Sequence, residues 1–385
     1  MHEESYAAVP NDKCRSLREA KQSPEWPEWE KAICAKLDQL KKMGTWRLVD
    51  KPSRVMAITN KFVFAKKRDK DGRLVKYKAR LVAKGCAQRP GYNYVETHSP
   101  VVRMETIRAI LAIAPTCKLF IQQLDVKGAY LNGKLKEHMY MRQPEGHDNG
   151  TRRICLLIKI LYGLKQARQE WNREFDAKLC KKGYKQLRSD TCMYIWRVGD
   201  DFVTITVCMD DMLMFATTVD LQKKAKADVE SKWEITDLGI PSKIVGIELR
   251  ISPDSIFISS SKYIDSILLR EDLGRTNSVS TPLNPNITLV PNPEGSDGDR
   301  SNLFASLLGE LQYIANATCP DIAYAVNRLA AYTANPSLQY HTALKRILRY
   351  LSGTRTHGIT YKALPDHPNF FLGYADASYG NADKY

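Results

Sequence analysis

Asp210 and Asp211 interrupt the otherwise apolar run VTITVCMDDMLMFAT, with β-branched and apolar residues on both sides. That pattern predicts two adjacent buried strands meeting at the acids. Two neighbouring ionised carboxylates in such a setting are costly unless water or cations answer them. Aspartates are also ordinary hairpin-turn residues, so the pair alone leaves a structural and a chemical reading open. A third acid, Asp125, lies in KLFIQQLDVKGAYLNG, where a short strand breaks at Gly128. If these strands are neighbours, the three acids converge. Two divalent ions about 3.5–4 Å apart could then clamp a phosphoryl group, one at the attacking oxygen and one at the leaving oxygen. Magnesium suits such a site, because it prefers carboxylate oxygens and substrate phosphates and needs no closed protein cage.

The chain has 385 residues, long enough for two or three packed units. Its 58 Lys and Arg against 43 Asp and Glu give a formal charge of +15, which points to a polyanionic partner, nucleic acid first. An anionic membrane surface competes less well: no unbroken apolar stretch reaches spanning length, and neither a cleavable leader nor a lipidation motif is present. The expectation is a soluble intracellular protein with no membrane partner. Nine cysteines without a CxxC pair and seven histidines without ligand spacing predict reduced thiols rather than a disulfide frame or a zinc site.

Several elements must position the acids. Residues 1–23 are polar and mixed and are expected to extend or fray. A packing helix follows Ser23 and Pro24, with Trp29, Ile33, Leu37 and Leu40 inward and an end near Gly44. From Lys61 to Arg89, 11 basic residues stand against Asp69 and Asp71 alone, in two strand-like runs around KDG. This predicts a hairpin whose second strand puts Lys76, Lys78 and Arg80 on one face and Tyr77, Ala79 and Leu81 on the other. A solvated basic face is the ordinary outcome of that pattern; at this charge density a phosphate-gripping strip competes with it.

METIRAILAIAP reads as a helix, and so does LYGLKQARQEWNREFDAKLCKKGY, with Leu164, Trp171, Phe175 and Leu179 as its inward stripe. Another helix is expected from Asp220 toward Trp233, then strands in KIVGIELRIS and SIFISSS. TPLNPNITLVPNPEGSDGDRSN is the linker candidate. Helices return in PDIAYAVNRLAAYTANP and HTALKRILRYLSG, and NFFLGYADASYG reads as a final strand.

In this order the motifs resemble the reverse transcriptase of copia-type long-terminal-repeat retrotransposons, from about Trp29 to Gly380. NKFVFAKKRDKDGRLVKYKARLVAKG is similar to the family's fingers hairpin, LDVKGAYLNGKLKEHMYMRQPEG to its first palm motif, LYGLKQA to its second, and CMDD to its metal-binding hairpin. KYIDSILLREDLG, TPL, LLGELQYIANATCPDIAYAV and LKRILRYLSGT resemble thumb and connection signatures, and YADASYG the start of a ribonuclease H domain.

The resemblance implies an α/β (α+β) right-hand polymerase with an antiparallel palm sheet, β-rich fingers, a helical thumb and connection, and a truncated ribonuclease H-like start. The expected division is 1–50 for an N-terminal extension and packing helix, 51–250 for fingers and palm, 251–355 for thumb and connection, and 356–385 for the incomplete segment. The implied activity is RNA-directed DNA polymerisation by two-metal nucleotidyl transfer, with Mg2+ as cofactor and Mn2+ as an alternative. Asp125, Asp210 and Asp211 would be the catalytic, metal-binding acids. Arg80, Lys78, Lys61, Tyr130, Tyr162, Gly163, Lys165 and Gln166 would contact the deoxynucleoside triphosphate, with Tyr130 excluding a ribose 2′ hydroxyl. Val245, Gly246 and Ile247 would hold the primer end, and Asp376 would be a remnant ribonuclease H acid. RNA and DNA template-primer, deoxynucleoside triphosphates and other polyprotein products such as integrase are the implied partners. The implied location is the cytoplasm, within virus-like particles, with access to the nucleus.

The sequence departs from the family's pattern at Cys208, where a tyrosine is usual two places before Asp210, and at Arg168 and Gln169, where a proline and a basic residue usually follow LYGLKQA. A catalytically eroded or domesticated nucleic-acid binder is therefore the alternative, distinguished by salt-sensitive binding without synthesis. A metal-dependent nuclease using the same acids would degrade primer without added nucleotides. Only the first acid of a ribonuclease H site, Asp376, is present, so no RNA-strand cleavage is expected from this chain alone.

Overall fold

In the computed structural model, residues 14–53, 55–68, 73–208, 211–287, 292 and 298–363 are described, with the backbone alone at 298–300. Ser16 accepts a hydrogen bond from the Glu19 amide and caps α1 (Leu17–Gln22). Residues 17–22 thus form a short helix where sequence predicts frayed chain, because the cap is joined by burial of Leu17 and Ala20 in the cluster around Trp29. The expected packing helix is α2 (Trp26–Lys42), with Trp29, Ile33 and Leu40 fully buried and left-handed Gly44 just beyond it. Strand β1 (Trp46–Val49) follows, then β2 (Asn60–Arg68) and β3 (Leu74–Ala83). These last two pair antiparallel from Asn60 opposite Ala83 onward, which makes the expected basic hairpin. Phe62, Phe64, Ala79 and Leu81 turn inward onto Trp29, so alternation carries Lys76, Lys78 and Arg80 to the other face.

The middle of the chain contributes α3 (Met104–Thr116), β4 (Phe120–Val126), β5 (Lys134–Met141), β6 (Ile154–Lys159) and α4 (Ala167–Lys181). Next come β7 (Lys185–Gln186), β8 (Met193–Val198), β9 (Asp201–Cys208), β10 (Asp211–Ala216), α5 (Val219–Glu230) and β11 (Ile235–Gly239). An antiparallel sheet runs in the order β11-β4-β10-β9-β8-β7, and a smaller one in the order β1-β6-β5. The six-stranded sheet is buried on both faces. Leu124, Val126, Met212 and Met214 face Trp171 and Phe175 of α4, Val229 of α5 and the adjoining Trp233. Leu213 and Phe215 face Ile107 and Leu111 of α3. Period-two alternation places Asp125 and Asp211 on this second face.

A further four-stranded sheet, ordered β12-β13-β14-β15, combines β12 (Lys243–Ile244), β13 (Ile247–Ser252), β14 (Ser255–Ser259) and β15 (Ile359–Lys362), the last strand returning from far along the chain. Between them, α6 (Ser261–Arg270), α7 (Gly298–Ala317), α8 (Ala323–Ala330) and α9 (Leu338–Thr354) share a core of Ile264, Phe304, Leu311, Val326, Leu344 and Ile347. The boundary drawn at 250 falls inside β13, and β15, within 356–385, pairs with β14. Asp376 and the strand expected in NFFLGYADASYG lie outside the described residues.

Candidate functional site

Asp125 is the penultimate residue of β4 and Asp211 the first of β10, and the two are direct register partners in the antiparallel pairing. On the other side of β4, Thr236 is the partner of Asp125. Gln123 Nε2 donates to Asp211 Oδ1 at 3.4 Å. Across the hairpin Cys208 pairs with Asp211; Met209 and Asp210, between them, lie outside the described residues.

Burial raises the Asp125 carboxyl above the usual range, and the charge of Asp211 raises it further. Lys78, Lys67 and Arg80 pull in the opposite direction. The basic face of the hairpin is therefore turned toward the acids. Lys61, opposite Val82 on β2, is exposed, whereas Lys67, which sequence reasoning passed over, acts on Asp125. Among the described residues no group of three or more His, Cys, Asp or Glu could hold a metal. Two crowded carboxylates offering hard oxygen donors nevertheless fit a magnesium-type ion completed by further ligands, and do not fit a soft-metal site.

Gly128, at φ +64°, enters the left-handed region and starts a 3-10 turn that presents Tyr130. The Tyr130 ring meets the Tyr162 ring edge-on, with centroids 5.0 Å apart. Arg80 lies 5.9 Å and Lys36 5.6 Å from the Tyr162 centroid, within cation–π range. Sequence reasoning missed Lys36, because α2 shows only the apolar spacing of a packing helix.

The segment carrying Tyr162 fastens the foot of the hairpin. The Ala83 amide donates to the Tyr162 carbonyl at 2.8 Å. Gly163 (φ +89°) comes so close that an added Cβ would lie 2.2 Å from the Ala83 oxygen, and one on Gly85 would lie 2.1 Å from the Gly163 oxygen. The Lys165 amide donates to Gln88 Oε1 at 2.8 Å, while its ammonium donates to the Tyr94 hydroxyl at 3.0 Å. Gln166 is buried; it accepts from Gln88 Nε2 at 2.9 Å and donates to the Asn93 carbonyl at 3.0 Å. Tyr162 thus joins Tyr130 and Arg80, while the Gln166 amide bonds within the protein.

Val245 (φ +46°) and Gly246 (φ +85°) form a two-residue turn between paired Ile244 and Ile247, with both central residues left-handed. A β-branched residue there is a backbone outlier of the kind that clusters at functional turns. The Tyr313 hydroxyl of α7 donates to the Val245 carbonyl, and an added Cβ on Gly246 would lie 2.7 Å from that hydroxyl. Ile247 is buried.

The family model described as reverse transcriptase (RNA-dependent DNA polymerase) matches residues 43–285. The chain is 37% identical over 360 residues to the retrovirus-related Pol polyprotein from transposon TNT 1-94 of Nicotiana tabacum, covering 91% of this chain and 27% of that protein. To the corresponding polyprotein from transposon RE1 of Arabidopsis thaliana it is 36% identical over 374 residues, covering 96% and 25%. To the truncated transposon Ty1-A Gag-Pol polyprotein of Saccharomyces cerevisiae it is 28% identical over 393 residues, covering 94% and 31%. The chain spans about a quarter of the length of the first two relatives. Among solved structures, a foamy viral protease-reverse transcriptase in complex with double-stranded DNA has a TM-score of 0.43 and 14% identity, covering 85% of this chain and 48% of that chain.

Proposed function

Because the chain belongs to the reverse transcriptase (RNA-dependent DNA polymerase) family, in its copia-type branch, we propose that it extends a DNA primer on an RNA or DNA template by nucleotidyl transfer. The observation that supports this most is the register pairing of Asp125 with Asp211 beneath a hairpin whose Lys78, Lys67 and Arg80 act on Asp125. Asp125 and Asp211, with Asp210, would hold two magnesium ions; Mn2+ could replace them. Such ions, when bound, neutralise charge on the attacking 3′ oxygen and on the leaving pyrophosphate oxygen.

The chain's own groups position the reactants. Lys78 and Arg80 supply fixed positive charge for the triphosphate, with Lys61 at the edge of the same hairpin, so charge on the transferring phosphoryl group meets donors already in place. The Tyr130 ring, held edge-on by Tyr162, closes the space a ribose 2′ hydroxyl would need. Gly163 permits close backbone approach, and Lys165 and Gln166 hold this nucleotide side together. The turn Val245–Gly246, continuing into Ile247, steadies the primer end so that its hydroxyl stays within attacking distance.

The substrates under this reading are template-primer and deoxynucleoside triphosphates. Other products of the same polyprotein, integrase among them, are the protein partners, and the working location is the cytoplasmic particle, with access to the nucleus. Among the described residues no helix is long and apolar enough to cross a membrane. A primed RNA template with deoxynucleotides and Mg2+ tests the proposal: the chain extends the primer and Asp211→Asn abolishes extension. Absence of product with both Mg2+ and Mn2+ refutes it.

A further inference from the structure

The aromatic pair at the nucleotide side is braced from an unexpected direction. Lys36 and Gln39 of α2 lie one turn apart and share a hydrogen bond, Lys36 Nζ donating to Gln39 Oε1 at 2.9 Å. Lys36 is half-buried, with its ammonium 5.6 Å from the Tyr162 ring centroid. The Gln39 amide lies 3.5 Å from where a Cβ on Gly128 would stand, and Gly128 is the left-handed residue that launches the Tyr130 turn. One helix face therefore touches the base of that turn and also the ring on which Tyr130 leans. Arg80 approaches the same Tyr162 ring from the basic hairpin.

We propose that Lys36 is a positioning residue for sugar selection: its ammonium holds the Tyr162 ring, and through that ring sets how firmly Tyr130 closes the 2′ side of the nucleotide pocket. This rests on the proposed role of Tyr130. A cation over a tyrosine face, partly withdrawn from water, favours one ring placement over its alternatives. Losing the charge frees Tyr162 to swing, and Tyr130 loses its edge contact while the acids and Lys78 stay where they are. Discrimination between sugars then falls more than the rate with the correct nucleotide.

Lys36→Met keeps the aliphatic stem and removes the charge, Lys36→Arg keeps the charge, and exposed Lys31→Met on the same helix is the control. For each, full-length chain on primer-template is titrated with a deoxynucleoside triphosphate and its ribonucleotide counterpart, by equilibrium binding as well as by incorporation kinetics. Lys36→Met is expected to lower the deoxy-over-ribo preference roughly two- to fivefold, with Lys36→Arg and Lys31→Met like the wild type. An unchanged preference in a folded Lys36→Met chain overturns the inference, and so does an equal rise in KM for both sugars, which marks a direct phosphate contact. A wild type that binds both sugars alike overturns the Tyr130 gate itself, and the inference with it.

Discussion

Asp125 and Asp211 stand opposite one another across the antiparallel pairing of β4 with β10, and burial together with the charge of Asp211 makes ionisation of Asp125 harder. Because the Asp125 pKa is raised, its contribution to stability is fully present below the ordinary carboxylate range and is lost as pH rises through the raised value. Asp125→Asn should therefore melt above the wild type in metal-free buffer near neutral pH, with the gap closing as pH falls to the acid side of both values. Thermal melts from pH 3 to 8 check this, and the same variant should show no primer extension. A wild type that melts higher near neutral pH contradicts the electrostatic account.

Added magnesium should reverse that order. An ion that binds the folded chain at a hundredfold excess over its Kd stabilises by about 2.7 kcal/mol. Wild type should gain melting temperature with Mg2+ while Asp125→Asn and Asp211→Asn gain little. Equal gains in all three would place the ion elsewhere.

Gly163→Ala should cost roughly 2–4 kcal/mol, because the methyl would lie 2.2 Å from the Ala83 oxygen at a left-handed backbone. Gly44 is left-handed too, yet a Cβ there meets nothing within 4 Å, so Gly44→Ala should cost only about 1–2 kcal/mol. Urea midpoints of the two variants separate close approach from backbone preference alone.

Tyr313→Phe removes the donor to the Val245 carbonyl while keeping the ring, and should cost about 1 kcal/mol. If the turn steadies a primer end, KM for primer-template should rise while KM for deoxynucleotide stays level. A matched rise in both would make Tyr313 a general stabiliser.

Much of the scaffold could be read locally. The apolar runs VTITVC and MLMFA became the buried strands β9 and β10, the inward stripe Trp171, Phe175 and Leu179 became α4, and alternation in β3 set Lys78 and Arg80 against Ala79 and Leu81. These signals repeat over short spacing, so the residues carry them without their partners. Short α1 escaped such reading, because burial against the Trp29 cluster holds it more than propensity does.

By itself the sequence determined that Asp125 stands at a strand's end, that this strand breaks at Gly128 and that a basic hairpin exists, since backbone preference and hydrophobic period act between near neighbours. Only the tertiary structure decided that Asp125 meets Asp211, that Lys67 acts on that acid, that Gln88 bonds Gln166, and that Lys36 reaches Tyr162. Those relationships join distant segments through strand order and helix packing, and no spacing along a single segment encodes them.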